Sequence, residues 1–186
     1  MKKIILTLAV IVLFAGLATA QDVKPFNLYA GGGLGAPNSN DMFKDYWKTG
    51  YHGYAGLGFN LMPMIQIIGK AEYHMFSVDG DSEGDFLESA EAAGDLNTFM
   101  FGGDIKLNPK APFMPIKPFA IAGVGFANSS FSELDESETD FYWNIGGGLE
   151  LGGQGPLKFF AMARYVSISS EGESTTFIPV TLGIKF

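Results

Sequence analysis

The stretch Phe177-Ile-Pro-Val-Thr-Leu-Gly-Ile-Lys-Phe186 decides the fold. Successive side chains of an extended chain point to opposite faces. Ile178, Val180, Leu182, Ile184 and Phe186 therefore share one face, and Phe177, Pro179, Thr181, Gly183 and Lys185 share the other. The same alternation recurs upstream. Phe141, Trp143, Ile145, Leu149 and Leu151 alternate with Tyr142, Asn144 and Glu150. Phe99, Phe101, Ile105 and Leu107 alternate with Thr98, Met100, Asp104 and Lys106, and Ile65, Ile67 and Tyr73 with Gln66, Lys70, Glu72 and His74. Leu157, Phe159 and Tyr165 oppose Lys158, Phe160 and Arg164. No sustained helical spacing competes with this period of two, apart from a short turn near Phe86 to Ala93.

Eight strands follow from this pattern, at about 26–35, 51–61, 65–77, 96–107, 118–128, 141–151, 157–169 and 175–186. Residues 36–50, 78–95 and 129–140 are long polar connections, and residues 62–64 and 152–156 are short turns. The 108–117 link is rich in proline, and the 170–174 link is short and acidic. Alternating short and long connections with an apolar outer face describe a barrel that crosses a membrane. An even strand count puts both termini on the periplasmic side.

The aromatics separate this reading from a soluble sheet with one wet face. A lipid-facing set carries its aromatics at both interfaces. Phe26, Phe59, Phe159 and Phe186 fall at the periplasmic ends of the strands. Tyr73, Phe99, Phe126, Phe141, Trp143 and Tyr165 fall at or near the outer ends, and no charge interrupts the apolar face within the spans. The fifth strand is rich in Ala and Gly; Ala120, Val124 and Phe126 are assigned outward by analogy with its neighbours.

The first twenty residues carry Lys2 and Lys3, an apolar run from Ile4 to Leu17, and Ala18-Thr19-Ala20. This is the pattern of a secretory signal peptide cleaved after Ala20, which leaves residues 21–186 as one barrel domain. The sequence holds no cysteine, so thiolate metal sites and a lipid-anchored cysteine are excluded. Without Lys2 and Lys3, ten basic residues face twenty acidic ones. That balance argues against nucleic acid as a partner.

The segments Tyr29-Ala-Gly-Gly-Gly-Leu-Gly35, Pro118-Phe-Ala-Ile-Ala-Gly-Val-Gly-Phe126 and Ile145-Gly-Gly-Gly-Leu-Glu-Leu151 resemble strands of small outer-membrane β-barrel proteins of the OmpA-domain and OmpX type. The final strand, ending in Phe186, is similar to the C-terminal signal read by the barrel-insertion machinery. The resemblance implies an eight-stranded antiparallel up-and-down barrel, monomeric, embedded in outer-membrane lipid and delivered by periplasmic chaperones. It implies little about function, because that fold hosts anchors, adhesins, enzymes and channels.

The inward face collects Lys70, Lys106, Lys158, Arg164 and Lys185 with Glu72, Asp104 and Glu150, and adds Tyr29, Asn60, Gln66 and Asn144. Charges enclosed by eight strands must pair, so a polar plug is expected. The alternative is a narrow solute path, for which inward glycines at 31, 33, 56, 58, 146 and 148 leave room. If Leu61 pairs with Ile65 across the short turn, His52 lies opposite His74 near the outer rim. Such a pair offers a metal or pH-sensing site, or a catalytic group with Glu72 or Ser77. Unrelated rim residues are the plainer reading, and no catalytic residue or cofactor is assigned.

The second long connection begins Asp79-Gly-Asp81-Ser-Glu83-Gly-Asp85, with oxygens at alternate positions and a glycine sixth, as in a calcium loop. Its twelfth position is Ala90, although Glu91 is adjacent, and a solvated acidic loop is the simpler reading. Glu133, Asp135, Glu136, Glu138 and Asp140 extend the acidic outer rim, which suits an extracellular ligand or divalent cations. Gly31-Gly-Gly-Leu-Gly-Ala36 mimics a dinucleotide fingerprint, but Pro37 follows it where a helix is required. The expected protein is a non-enzymatic outer-membrane barrel with an envelope-supporting or surface-contact role. The alternatives are a narrow pore and a lipid-modifying enzyme.

Overall fold

A computed structural model describes residues 26–38, 48–77, 95–109, 116–131, 137–152, 157–170 and 173–186. The leader, the helical turn near Phe86 and the acidic stretch from Asp79 to Asp85 lie outside them. Eight strands form one closed barrel: β1 (Phe26–Pro37), β2 (Gly50–Met62), β3 (Ile65–Phe76), β4 (Leu96–Leu107), β5 (Ile116–Phe131), β6 (Ser137–Leu151), β7 (Lys158–Ser170) and β8 (Glu173–Lys185). Each pairs antiparallel with its sequence neighbours, and β1 closes on β8 from Tyr29↔Lys185 to Pro37↔Phe177. Closure removes both sheet edges, so backbone groups find partners without water. Phe26, the first described residue of β1, and Phe186 share one end of the barrel with the two-residue turn Pro63-Met64. We call this the turn end and the opposite end the loop end.

The facing follows the alternation in the sequence. Leu28, Leu57, Ile105, Val124, Ile145, Val180 and Leu182 are 51–64% exposed except Val180, at 48%. Their strand neighbours Tyr29, Asp104, Asn144 and Thr181 are at most 4% exposed. An apolar surface this extensive and continuous is incompatible with water and suited to lipid. Aromatic girdles bound it. Phe26 and Phe59 touch at the turn end, with ring centroids 5.4 Å apart. Phe101, Phe126 and Phe141 run in series around the wall, at 5.8 and 6.4 Å, and Trp143 meets Tyr165 at 5.6 Å. Val124 and Phe126 face outward on β5, as expected for that ambiguous strand.

Several strand ends differ from the sequence reading. Residues 129–131 and 137–140 are strand rather than loop, with Asn128↔Thr139, Ser129↔Glu138 and Ser130↔Ser137 in register. The cause is that a ladder needs only backbone partners once it leaves lipid, and polar side chains reinforce it. Asn128 Nδ2 donates to Thr139 Oγ1 at 2.9 Å. The β7–β8 ladder likewise runs on to Ser170↔Glu173. β5 begins at Ile116, two residues before Pro118. Ile65 pairs with Met62 rather than Leu61, and the register shifts between Asn60 and Met62. One extra residue in β2 absorbs the tight turn as a bulge.

The inward glycines leave no open path beside them. A Cβ on Gly123 would strike the Asp104 carboxylate. One on Gly102 would sit 2.5 Å from the Tyr142 hydroxyl, and one on Gly148 or Gly183 would lie 2.5 Å from Phe119 or Phe160. Gly58 accepts Gln66 at 2.8 Å, Gly146 accepts the Arg164 stem, also at 2.8 Å, and Gly56 lies against Ile68 and Tyr54 at 3.1 Å. Gly31 and Gly33 are crowded instead by the β8 backbone. Gly31, Gly33, Gly56, Gly58, Gly146 and Gly148 thus do not leave the room that the alternative of a narrow solute path drew on: neighbouring strands and side chains fill the space that each gives up.

A charge on the outer wall is the direct test of the facing. Leu182→Arg is expected to lower unfolding free energy in lipid vesicles by about 2–4 kcal/mol, the cost of a cation near the bilayer midplane. Urea titration followed by tryptophan fluorescence measures it, and an unchanged midpoint would contradict the lipid-facing assignment.

Candidate functional site: a layered interior

The interior is built in four layers. At the turn end, the inward positions are largely polar. Tyr29 donates to Gln66 Oε1 at 2.5 Å, and Gln66 Nε2 donates to Asn60 Oδ1 at 2.8 Å. Lys106 and Lys185 both reach Glu150 Oε1, Lys185 at 3.0 Å. Lys106 also lies 3.9 Å from the Phe119 ring centroid. Lys158 stands on the inward register opposite Lys185 and is half-buried at the rim.

Above this ring is an apolar layer. Ile68, Phe119, Ile121, Phe160 and Met162 are 1–6% exposed and pack with Tyr29 and Tyr54. Tyr29 and Tyr54 both meet Phe160 edge-on, with centroids 5.7 and 6.0 Å away.

The third layer holds the central charges. Arg164 of β7 donates from Nη1 to Glu72 Oε1 at 2.8 Å and from Nη2 to Oε2 at 2.5 Å. β7 and β3 are not neighbours in the barrel, so this two-pronged pair spans its interior. Lys70 bridges Glu72 (2.9 Å) and Asp104 (3.1 Å), and Asn144 Nδ2 donates to Asp104 Oδ1 at 3.0 Å. Two cations face two carboxylates, and all four side chains are fully shielded. Tyr54 and Tyr142 lie over Arg164 and Lys70 at 5.7 and 5.4 Å. Charges in so dry a setting are tolerable only when paired and hydrogen-bonded.

His52 and His74 are register partners, as the sequence count places them. The count survives although its anchoring pair was wrong, because the bulge lies between the anchor and Asn60↔Gln66. Their rings stack with centroids 4.8 Å apart and planes 20° apart. His74 Nε2 donates to Glu72 Oε2 at 3.3 Å, and His52 Nε2 meets Thr181 Oγ1 at 2.9 Å. Imidazole lone pairs lie in the ring plane, so stacked rings do not converge on one ion. Among the described residues no group of three or more metal-binding side chains occurs. Ser77 is exposed and on the opposite strand parity from His74, which is 0% exposed, so the two do not form a catalytic pair.

The fourth layer seals the loop end. Phe76, Leu96, Met100, Ala127, Tyr142, Val166, Ile168 and Phe177 form one cluster, each at most 9% exposed. His74 packs beneath it, edge-on to Phe177 at 5.0 Å. Of the acidic residues assigned to the third long connection, Glu138 and Asp140 are described, and Asp140 accepts from Ser170 Oγ at 2.7 Å. Sequence reasoning missed Tyr54 and Tyr142 as partners of the charged layer and Thr181 as the partner of His52, although strand parity already put them inward. It also left Lys117 in the proline-rich link, whereas that residue lies in β5 as the backbone register partner of Glu150, with its side chain exposed.

A closed eight-stranded barrel with a lipid-facing belt defines a class of membrane protein, and sequence comparison agrees. A family model described as the outer membrane protein β-barrel domain matches residues 6–186. The chain belongs to that family, whose members are bacterial outer-membrane proteins. Among solved structures, Neisserial surface protein A superposes with a TM-score of 0.66 at 12% identity, covering 87% of this chain and 96% of that one. The N-terminal β-barrel domain of Pseudomonas aeruginosa OprF gives 0.53 at 13% identity, covering 88% and 98%. A major outer membrane protein of Thermus thermophilus gives 0.53 at 10% identity, covering 88% and 99%. At these identities the likeness concerns the fold. A search of curated proteins finds no match.

The charged layer has a measurable signature. Arg164→Met alone strands Glu72 beside a single lysine and is expected to cost about 3–5 kcal/mol. The double change Glu72→Leu with Arg164→Met leaves Lys70 on Asp104. It should cost less than the two single changes combined by at least ~1 kcal/mol. Additive costs in urea titration would show that the pair is not coupled.

Proposed function

We propose that this protein is a closed, non-enzymatic barrel that works through the surface it presents at its loop end, in envelope support or surface contact. The observation that carries this reading is the sealing of the charged layer between two apolar layers. A solute path would have to pass Phe119 and Phe160 on one side and Met100, Val166 and Phe177 on the other, each 0–6% exposed. The two cations and two carboxylates between them are paired with one another, and all four are shielded from solvent. Moving a hydrated ion through such layers carries a large desolvation cost.

The same burial weighs against an enzyme acting on lipid. His74 would have to reach an acyl chain outside the wall, but it sits inside under Phe76 and Phe177. With both termini on the periplasmic side, the acidic connections face outward. Their negative rim suits divalent cations bridging to lipid phosphates, or a basic extracellular partner. Phe186 remains the proposed insertion signal, and the barrel is proposed to act as a monomer after delivery by periplasmic chaperones.

Single-channel recording of the protein in a planar bilayer tests the reading. Insertion is verified by protease protection and by slower unboiled gel mobility. No conductance steps are expected from inserted protein. Stable, reproducible steps would overturn the closed-barrel reading in favour of a narrow pore.

A further inference from the structure

The stack of His52 on His74, the only two histidines of the chain, has no part in the surface-contact reading. Both side chains are buried, and each ring has one nitrogen engaged. Nε2 of His74 donates to Glu72. Nε2 of His52 meets Thr181 of β8, reaching across β1 where Gly33 presents no side chain. A Cβ on Gly33 would come within 3.1 Å of His52 Cε1. The other nitrogen of each ring, Nδ1, is buried without a hydrogen-bond partner. That of His74 lies beside Gly35 of β1: a Cβ there would be 3.9 Å from it and 3.4 Å from the Phe76 ring. A neutral imidazole tolerates this setting, because its second nitrogen is a bare acceptor. A proton taken up there becomes a buried N–H with nothing to donate to, which is costly.

The surroundings hold no spare negative charge for that proton. Glu72 of β3 is already shared by Lys70 and by Arg164 of β7. These three are the charged groups that act on the stack, and the rings act on one another. The remaining neighbours carry no charge: Gly33 and Gly35 of β1, Thr98 of β4, and Phe177 and Thr181 of β8. Two cations already meet two carboxylates in the layer below, so a third cation goes uncompensated.

β8 is the element best placed to yield. Its two contacts with the stack, Phe177 and Thr181, flank Pro179, which has no N–H to give a ladder. The β7–β8 pairing is interrupted at this point. Ala163↔Val180 and Val166↔Phe177 are in register, and between them neither Arg164 nor Tyr165 pairs with β8. Arg164, on the β7 side of the gap, is held by the same Glu72 that holds His74.

We propose that the His52–His74 stack is an acid-sensitive latch. Neutral, it pins β8 beneath the loop-end seal. On proton uptake the rings separate, and the seal opens together with the unpaired stretch of β7 and β8. An imidazole in water takes up its proton near pH 6.5, about where the opened form begins to gain protons. Below that value opening rises by up to about tenfold per pH unit for each proton gained. The support beneath the loop-end surface thereby depends on pH. This goes beyond the surface-contact reading and is tested apart from it, because the layer of Phe119 and Phe160 still closes the barrel to ions when the loop end opens.

Hydrogen–deuterium exchange of the untagged protein in phosphatidylcholine nanodiscs, corrected for the intrinsic exchange rate, reads the opening. Between about pH 7.5 and 5.5, protection in residues 163–170 and 174–180 should fall about tenfold, while the turn-end residues 65–69 and 103–107 stay unchanged. With two histidines in the chain, NMR of isotope-labelled imidazoles follows their protonation directly. Its midpoint should coincide with that of the exchange. The double variant His52→Gln with His74→Gln keeps a hydrogen-bonding group at each position and cannot titrate. Once its folding is verified by unboiled gel mobility, it should show no pH dependence. Constant protection in the parent, or a fall at a pH where the imidazoles do not titrate, would overturn the proposal whether or not the variant folds. A pH dependence that survives in the folded variant would overturn it too.

Discussion

Every backbone N–H and C=O inside the bilayer must find a partner in the chain itself, and this one requirement shapes the rest of the molecule. Strands satisfy it only by closing on one another, which the β1–β8 ladder does. Closure then sorts side chains by parity. Odd and even positions have no choice but lipid on one side and a narrow interior on the other. The apolar belt and the polar interior are two faces of the same constraint.

A narrow interior makes volume and charge scarce together. Long side chains such as Arg164 and Phe160 fit because a glycine on a neighbouring strand yields the space, as Gly146 does for Arg164 and Gly183 for Phe160. The glycine-rich strands are thus complements of the bulky inward residues rather than openings. Charge obeys a similar economy. Shielded from solvent, Glu72 and Arg164 use a two-pronged geometry, and Lys70 and Asn144 occupy remaining acceptor sites on Glu72 and Asp104. The apolar layers above and below keep that cluster dry, and dryness makes the pairing obligatory.

The two ends of the barrel are correspondingly unlike. Toward the loop end the interior is closed by aromatic and aliphatic groups, and acidic residues accumulate in the connections beyond. Toward the turn end Lys106 and Lys185 meet on Glu150. The barrel is therefore polarised along its axis. That polarity gives each end a different chemistry to offer, independent of whether anything passes between them.

The sequence by itself determined the strand count, the facing of each strand, the aromatic girdles and the closeness of His52 to His74. All of these depend on a period of two and on short turns that fix register locally. It could not determine which charges would meet across the barrel, because β3 and β7 are joined by no local pairing. Arg164 finds Glu72 only when the sheet curls shut. Nor did it show that the inward glycines would be filled, that Leu61 would bulge, or that β5 would begin at Ile116, before Pro118. Those outcomes rest on packing between strands distant in sequence and on ladders that continue past the apolar pattern. Periodicity carries no information about either. Only closure, which forces all inward side chains to share one volume, decided them.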